Sequence, residues 1–218
     1  MTMTHTHTGV QRGKHGKAER QQALVDAATA VFAEHGYDAA TTREIAERAD
    51  CSEGLIHRYF HGKRGLLLWI LDAKAGEYTA KLTAALPDRD TLAEEIERLL
   101  AYAQESMWED RDFMRVSVSR SVIDPDVGHV IGHHLNEARV QLIAEKLRRH
   151  QRAGRVREDA DVVATAHAIA GINIACGFFA QVVFAMDRGE MRRYSHGIAE
   201  VLTRGLEPDS SQSSTTEG

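Results

Sequence analysis

Residues 41–63 read TTREIAERADCSEGLIHRYFHGK, and two short helices joined by a three-residue turn are legible in them. Thr41 and Glu44 have the spacing of a capping box. The hydroxyl would satisfy free N–H groups while the carboxylate reaches back, which predicts a helix over 42–49. Asp50-Cys51-Ser52 forms the turn: aspartate tolerates left-handed backbone, and Ser52 suits the N-cap of a further helix over 53–60. On that helix Leu55, Ile56, Tyr59 and Phe60 contain the apolar i, i+4 pairs that pack inward, leaving Glu53, Gly54, His57, Arg58 and His61 outside. With a longer helix before it, this is a helix-turn-helix, whose second short helix enters the major groove of duplex DNA. Arg58 could bond guanine O6 and N7 or a phosphate, Glu53 could accept from cytosine N4, and His57 could serve base or backbone. Gly54 lets the backbone approach a groove wall. A helical hairpin with a solvated polar face fits the same periodicity.

Helical periodicity continues in both directions, and no alternating strand pattern interrupts it. Upstream, a helix over 18–35 puts Leu24, Ala28, Val31 and Phe32 on one face and ends at Gly36. Downstream, Lys63 opens a helix that Pro87 stops, followed by helices over 91–108, 111–121, 126–153, 159–187 and 191–206. The protein reads as all-α. Its expected units are a flexible arm (1–17), the helix-turn-helix domain (18–65), a ligand-binding and dimerisation domain (66–206) and a disordered tail (207–218).

The chain has 218 residues, 27% charged, with 27 Lys and Arg against 32 Asp and Glu. The acidic total hides a bias: residues 1–65 carry 9 basic and 8 acidic side chains and six of the twelve histidines. That is too weak to imply DNA binding alone. No apolar run is read as approaching the ~18 residues that span a bilayer, so no membrane partner is expected. The opening residues show no secretory leader, and a cytoplasmic location is expected. Cys51 and Cys176 cannot build a disulfide framework or a four-thiolate zinc site. The sequence holds no G-x-S-x-G, no P-loop and no H-E-x-x-H, so neither an enzyme nor a cofactor is expected.

The run TTREIAERADCSEGLIHRYFHGKRGLL, with RQQALVDAATAVFAEHGYDAA before it, resembles the N-terminal domain of the tetracycline-repressor-like (TetR) family of bacterial regulators. Residues 18–68 carry the likeness: F-x-x-x-G-Y, T-T-x-x-I-A, the short turn with serine, then Y-F-x-x-K. The resemblance implies an all-α homodimer whose N-terminal heads bind an operator. A divergent C-terminal domain would bind a small molecule and thereby release DNA. It also implies that Thr42 and Arg43 contact the backbone, that Glu53, Gly54 and His57 lie near bases, and that Tyr59 and Lys63 meet phosphate. Ser52 and Arg58 complete the expected DNA-binding set. Three departures stand out: Asp50 where glycine is common, His57 where tyrosine is usual, and Arg64-Gly65 where an acidic residue often follows the lysine.

The expected function is therefore a sequence-specific transcriptional regulator: a repressor released from palindromic double-stranded operator DNA by a small lipophilic ligand. Ala164, Ala168, Gly171, Ala175 and Gly177 are small residues that permit close helix approach, consistent with a homodimer interface. Trp69, Met107, Trp108, Phe113, Met114, Asn173, Phe178 and Phe179 are candidate pocket or core positions. Two rivals remain. His129, His133 and His134 include an i, i+4 pair that would suit a metal-responsive regulator, although no metal site is assigned, and a helical adaptor that does not bind DNA is the other.

Overall fold

The computed structural model describes residues 16–208, whose regular elements are all helices, with no strand among them. The expected arm, up to residue 15, and the tail from residue 209 lie outside the described residues. Helix α1 (Lys17–His35) opens with the Gly16 N–H donating to Glu19 Oε2 at 2.7 Å and ends at Gly36, whose φ of 78° lies in the left-handed region. Helix α2 (Thr42–Arg48) is capped by Thr41, whose Oγ1 accepts from the Glu44 N–H at 3.1 Å. The second half of the expected capping box is absent because the Glu44 carboxylate pairs with His35 Nε2 at 2.9 Å instead.

Asp50 takes up φ 49°, so the turn is left-handed without a glycine. Helix α3 (Gly54–Phe60) starts one residue later than expected, and Ser52 does not cap it with its side chain. The tight turn closes through backbone instead: the Ser52 and Glu53 carbonyls accept from the Leu55 and Ile56 N–H groups, each at 3.0 Å.

Helix α4 (Lys63–Ala85) runs from the head into the body, where α5 (Leu92–Glu109) and α6 (Arg111–Ser121) follow. Helix α7 (Pro125–His129) passes through a π-helical stretch, Val130–Glu137, into α8 (Ala138–Arg152). Helix α9 (Val162–Ile174) likewise continues as a π-helical stretch, Ala175–Val183. The last helix, α10 (Arg188–Leu206), begins three residues before its expected start. Asp187, read as the end of the preceding helix, instead caps α10 in a reciprocal box with Glu190, and Ala185 at φ 52° makes the turn between them.

Two apolar clusters organise these helices. The first joins Leu24, Phe32, Ile45 and Ile56 of the three head helices to Leu66–Leu71 of α4, and reaches Val116 on α6 and Val127 on α7. The second packs α5, α8, α9 and α10 around residues such as Ile96, Leu100, Ile143 and Ile169. One expectation is corrected here. Val162–Val183 is 22 residues long with mean hydropathy 1.7, enough to cross a membrane by length and composition. It reads that way because Ala166, Ile169 and Ala170 are core residues packed with the second cluster.

Candidate nucleic-acid interface and ligand cavity

The inward face of α3 buries Ile56 and Phe60, while Ser52, Glu53, Gly54, His57 and Arg58 are exposed. Helices α2 and α3 are tied across this surface by Thr42, whose Oγ1 donates to Glu53 Oε1 at 2.5 Å. That bond brings one backbone candidate and one base candidate together and leaves Glu53 Oε2 as the freer acceptor. Arg43 is exposed and held by Glu47 at 2.9 Å, a contact that a phosphate oxygen could replace. A Cβ at Gly54 would meet nothing within 4 Å, so its place on the face is open rather than sterically required. Tyr59 is half-buried, with its ring edge-on to Phe60 at 6.2 Å, as its mixed position on the helix implies.

Lys63 is placed differently from the other candidates. Its Nζ donates to the carbonyls of Tyr37 and Ala40 at 2.8 Å each and of Asp38 at 3.3 Å, and lies 4.5 Å from the Tyr37 ring centroid. Burial lowers the Lys63 pKa. The ammonium therefore braces the loop between α1 and α2. The departure at Arg64-Gly65 also has a physical reason. A Cβ at Gly65 would sit 1.7 Å from the Phe60 carbonyl oxygen, so the corner between α3 and α4 requires glycine. Arg64 binds the Asp124 carboxylate through Nε at 2.9 Å and Nη2 at 2.8 Å, and also pairs with Asp126.

In the body, α4, α5, α6, α8 and the Val130–Glu137 stretch enclose a cavity of about 300 Å³. Met107, Phe113 and Met114, read as pocket candidates, line it together with Ile131, Leu135 and Ile174. Asn173 lines an adjoining inner space with Tyr78, Tyr102 and Arg139. Other candidates have different roles: Trp69 packs against Phe60 with ring centroids 5.7 Å apart, and the Trp108 ring lies under Arg188 at 4.6 Å. The rings of His129 and His133 stand 4.4 Å apart, yet no group of three metal-ligating side chains occurs among the described residues.

A family model described as bacterial regulatory proteins, tetR family, matches residues 24–70, the segment that builds this head. The HTH-type transcriptional repressor Rv1474c of Mycobacterium tuberculosis is 31% identical over 143 residues, spanning 65% of this chain and 72% of that protein. The chain belongs to the tetR family. Solved structures of regulators share the fold over most of the chain. A transcriptional regulator from Saccharomonospora viridis, in complex with choline, superposes with TM-score 0.70 at 21% identity, covering 84% of this chain and 96% of that one. The regulator FadR from Bacillus subtilis, in complex with stearoyl-CoA, gives 0.66 at 17% identity over 85% and 99%.

In this tetR-family chain the head and body are joined by ion pairs that sequence reasoning missed. Asp124 is nearly buried. The Arg64 guanidinium, helped by backbone N–H groups of Asp126 and Val127, brings its pKa down to about 2. Arg120 of α6 reaches Asp38 at 3.3 Å and covers the Tyr37 ring at 4.7 Å, so Tyr37 is held between Lys63 and Arg120. Burial raises the Tyr37 pKa. Asp124-Pro125 signalled only a helix break in the sequence, and no local pattern pairs it with an arginine sixty residues earlier.

Proposed function

We propose that the protein is a homodimeric repressor that reads a palindromic operator through α2 and α3 and is released by a small molecule bound in the body cavity. The observation that carries this reading is the exposed polar face of α3, with Ser52, Gly54, His57 and Arg58 open to solvent beside Thr42 and Arg43, on a chain of this family. Arg58, His57 and Glu53 are placed for base edges, and Thr42, Arg43, Ser52 and Tyr59 for the backbone. Lys63 acts as a positioning residue, because three carbonyls already hold its ammonium. The functional units are the head (18–65), the body (66–206) and their flanking segments, with the first turns of α4 serving both.

The dimer reading is supported by an apolar surface on the far side of the body. Ala164, Ala168, Gly171 and Ala175 form an exposed stripe on one side of the α9 helix and its continuation, whereas Gly177 is buried against Met107. Phe184, Tyr194 and Val201 are exposed nearby. Monomers seldom leave so much contiguous apolar surface uncovered. The similar folds solved with choline and with stearoyl-CoA support a ligand role for the body while leaving the ligand's chemistry to this chain's own side chains.

The test is selection of bound sequences from a random duplex library by the purified protein, followed by titration of the enriched sequence at two salt concentrations. An enriched inverted repeat bound in a salt-dependent manner is expected. No enrichment, with weak binding to all sequences, would remove the operator reading.

A further inference from the structure

The cavity mouth carries both signs of charge, and nearly all of it is already paired. Lys74 pairs with Asp110 at 3.3 Å, Lys81 with Glu77 at 3.3 Å and Arg98 with Glu105 at 3.5 Å. Glu109, the remaining acid, lies on the exposed surface. Arg139 is different. It is only 8% exposed, and among the described residues no carboxylate lies within ion-pair distance of it. Its Nε donates to the Tyr78 hydroxyl at 2.8 Å, and its guanidinium lies over the Tyr78 ring at 5.2 Å from the centroid. No hydrogen-bond partner among the described residues takes up its two terminal amino groups, although Arg139 lines both the main cavity and the inner space.

Asn173 is the independent second sign. It is 2% exposed, lines the same inner space as Arg139, and its Oδ1 is buried without a hydrogen-bond partner. An arginine only 8% exposed that lacks a counter-charge, its terminal amino groups open to the cavity, and a buried amide oxygen without a partner are each completed by a ligand at less cost than by nothing. Met107, Phe113, Ile131, Leu135 and Ile174 supply apolar wall, with Ser106 and Asn136 as further polar lining.

We propose that this cavity takes a small monocarboxylate with a short apolar body, its carboxylate held in the fork of Arg139 and its polar end completed by Asn173. A planar two-oxygen anion matches the two parallel N–H donors of a guanidinium. A half turn of the Asn173 amide would present an N–H to the inner space that Arg139 also lines, and the neighbouring Tyr78 already fixes the arginine. A cationic head would instead find Glu77, Glu105 and Asp110 engaged and Arg139 opposing it, with Glu109 at the exposed rim as the acid left to it. The volume of about 300 Å³ lies at the small end of ligand sites, which suits a short body. The proposal rests on the body being the ligand-binding half of the regulator.

The test is calorimetric titration of the full chain with octanoate, methyl octanoate and octyltrimethylammonium. Octanoate is expected to bind roughly 10–100-fold more tightly than the ester or the ammonium, the range for a lost charge-assisted hydrogen bond. Arg139→Met is expected to abolish that preference. Arg139→Lys keeps the charge without the fork, and provides the comparison if Arg139→Met melts early; in it the preference should shrink but persist. Ester or ammonium binding as tightly as octanoate, undetectable octanoate binding, or an unchanged preference in either variant would overturn the proposal. Operator selection uses no acid, so its failure sinks the DNA reading alone. Octanoate that binds without releasing DNA would keep the site and remove its role as effector.

Discussion

Lys63 stands where its charge suggests a phosphate contact, and its ammonium is at the same time held within the protein. A lysine at a helix N-terminus reads as a phosphate contact, yet three carbonyls from the α1–α2 loop converge on this ammonium. Removing it strands partly buried acceptors, and a charge-assisted hydrogen bond is worth about 1.5–3 kcal/mol. Lys63→Met should therefore lower the thermal midpoint of the protein, and DNA binding should weaken with no change in its salt slope. A slope lowered by about 1 with an unchanged midpoint would restore the phosphate role. Arg58 is the contrasting case, exposed and without a partner among the described residues that an operator would have to displace. If it reads a guanine, Arg58→Ala should cost about 1–3 kcal/mol at one operator position and little elsewhere, as measured by titrating single-base operator variants. The exposed candidates of α3 were legible in the sequence because helical spacing alone sorts Ile56 and Phe60 from His57 and Arg58. The fate of Lys63 was not, since its acceptors lie more than twenty residues upstream.

Elements were legible where a local signal ends them and misplaced where two signals compete. Gly36 and Pro87 gave true ends. Asp187 and Gly189 looked like a break in the sequence, but the aspartate is a cap and the glycine lies inside the first turn. The join between α5 and α8 is a tertiary feature with no local signal. There Glu95 is fully buried, and burial opposes its ionisation, but the Arg89 N–H, Lys146 and Arg149 outweigh that and hold its pKa below the ordinary value. His150, also fully buried, accepts from Arg155 Nε at Nδ1 over 2.9 Å, an arrangement that favours the neutral ring, while its Nε2 faces Arg149 and Glu95. Burial, followed by the Arg149 and Arg155 charges, lowers its pKa from 6.5. Below that value the unfolded chain gains a proton that the folded ring resists, so stability should fall as pH drops below about 6.5. Glu95 adds nothing in this window, because its own loss lies below 4.5. Thermal midpoints from pH 7.5 to 5.5 should therefore decline, and His150→Gln should flatten the decline. An unchanged slope in the variant would mean that other histidines carry it.

At the scale of the whole molecule, the bonds that matter most join positions far apart in the chain, which is why a single sequence did not reveal them. Arg64 with Asp124, Arg120 with Asp38, and the shared Tyr37 fasten the head to α6 and the start of α7, while α6 and the Val130–Glu137 stretch that continues α7 border the cavity. A ligand that shifts α6 or the Val130–Glu137 stretch would thus move the head directly, and it can favour release only by binding one head position better than another. That argument needs two heads held at a fixed separation, about 34–36 Å for successive major-groove half-sites. The apolar surface of α9 and α10 is the proposed place to set that separation, and Val201 is part of it, 71% exposed. A buried charge there would be unpaired in a dimer and solvated in a monomer, so Val201→Glu should act on association and spare the monomer's fold. Sedimentation is expected to give a dimer for the natural chain and a monomer for the variant at equal concentration. The variant should bind the full inverted repeat no more tightly than a single half-site, because the second head no longer arrives at high effective concentration. A variant that remains dimeric would move the interface elsewhere. A monomeric variant that keeps full affinity for the inverted repeat would show that head spacing is not set by this surface, and the route from cavity to release would have to run within one chain.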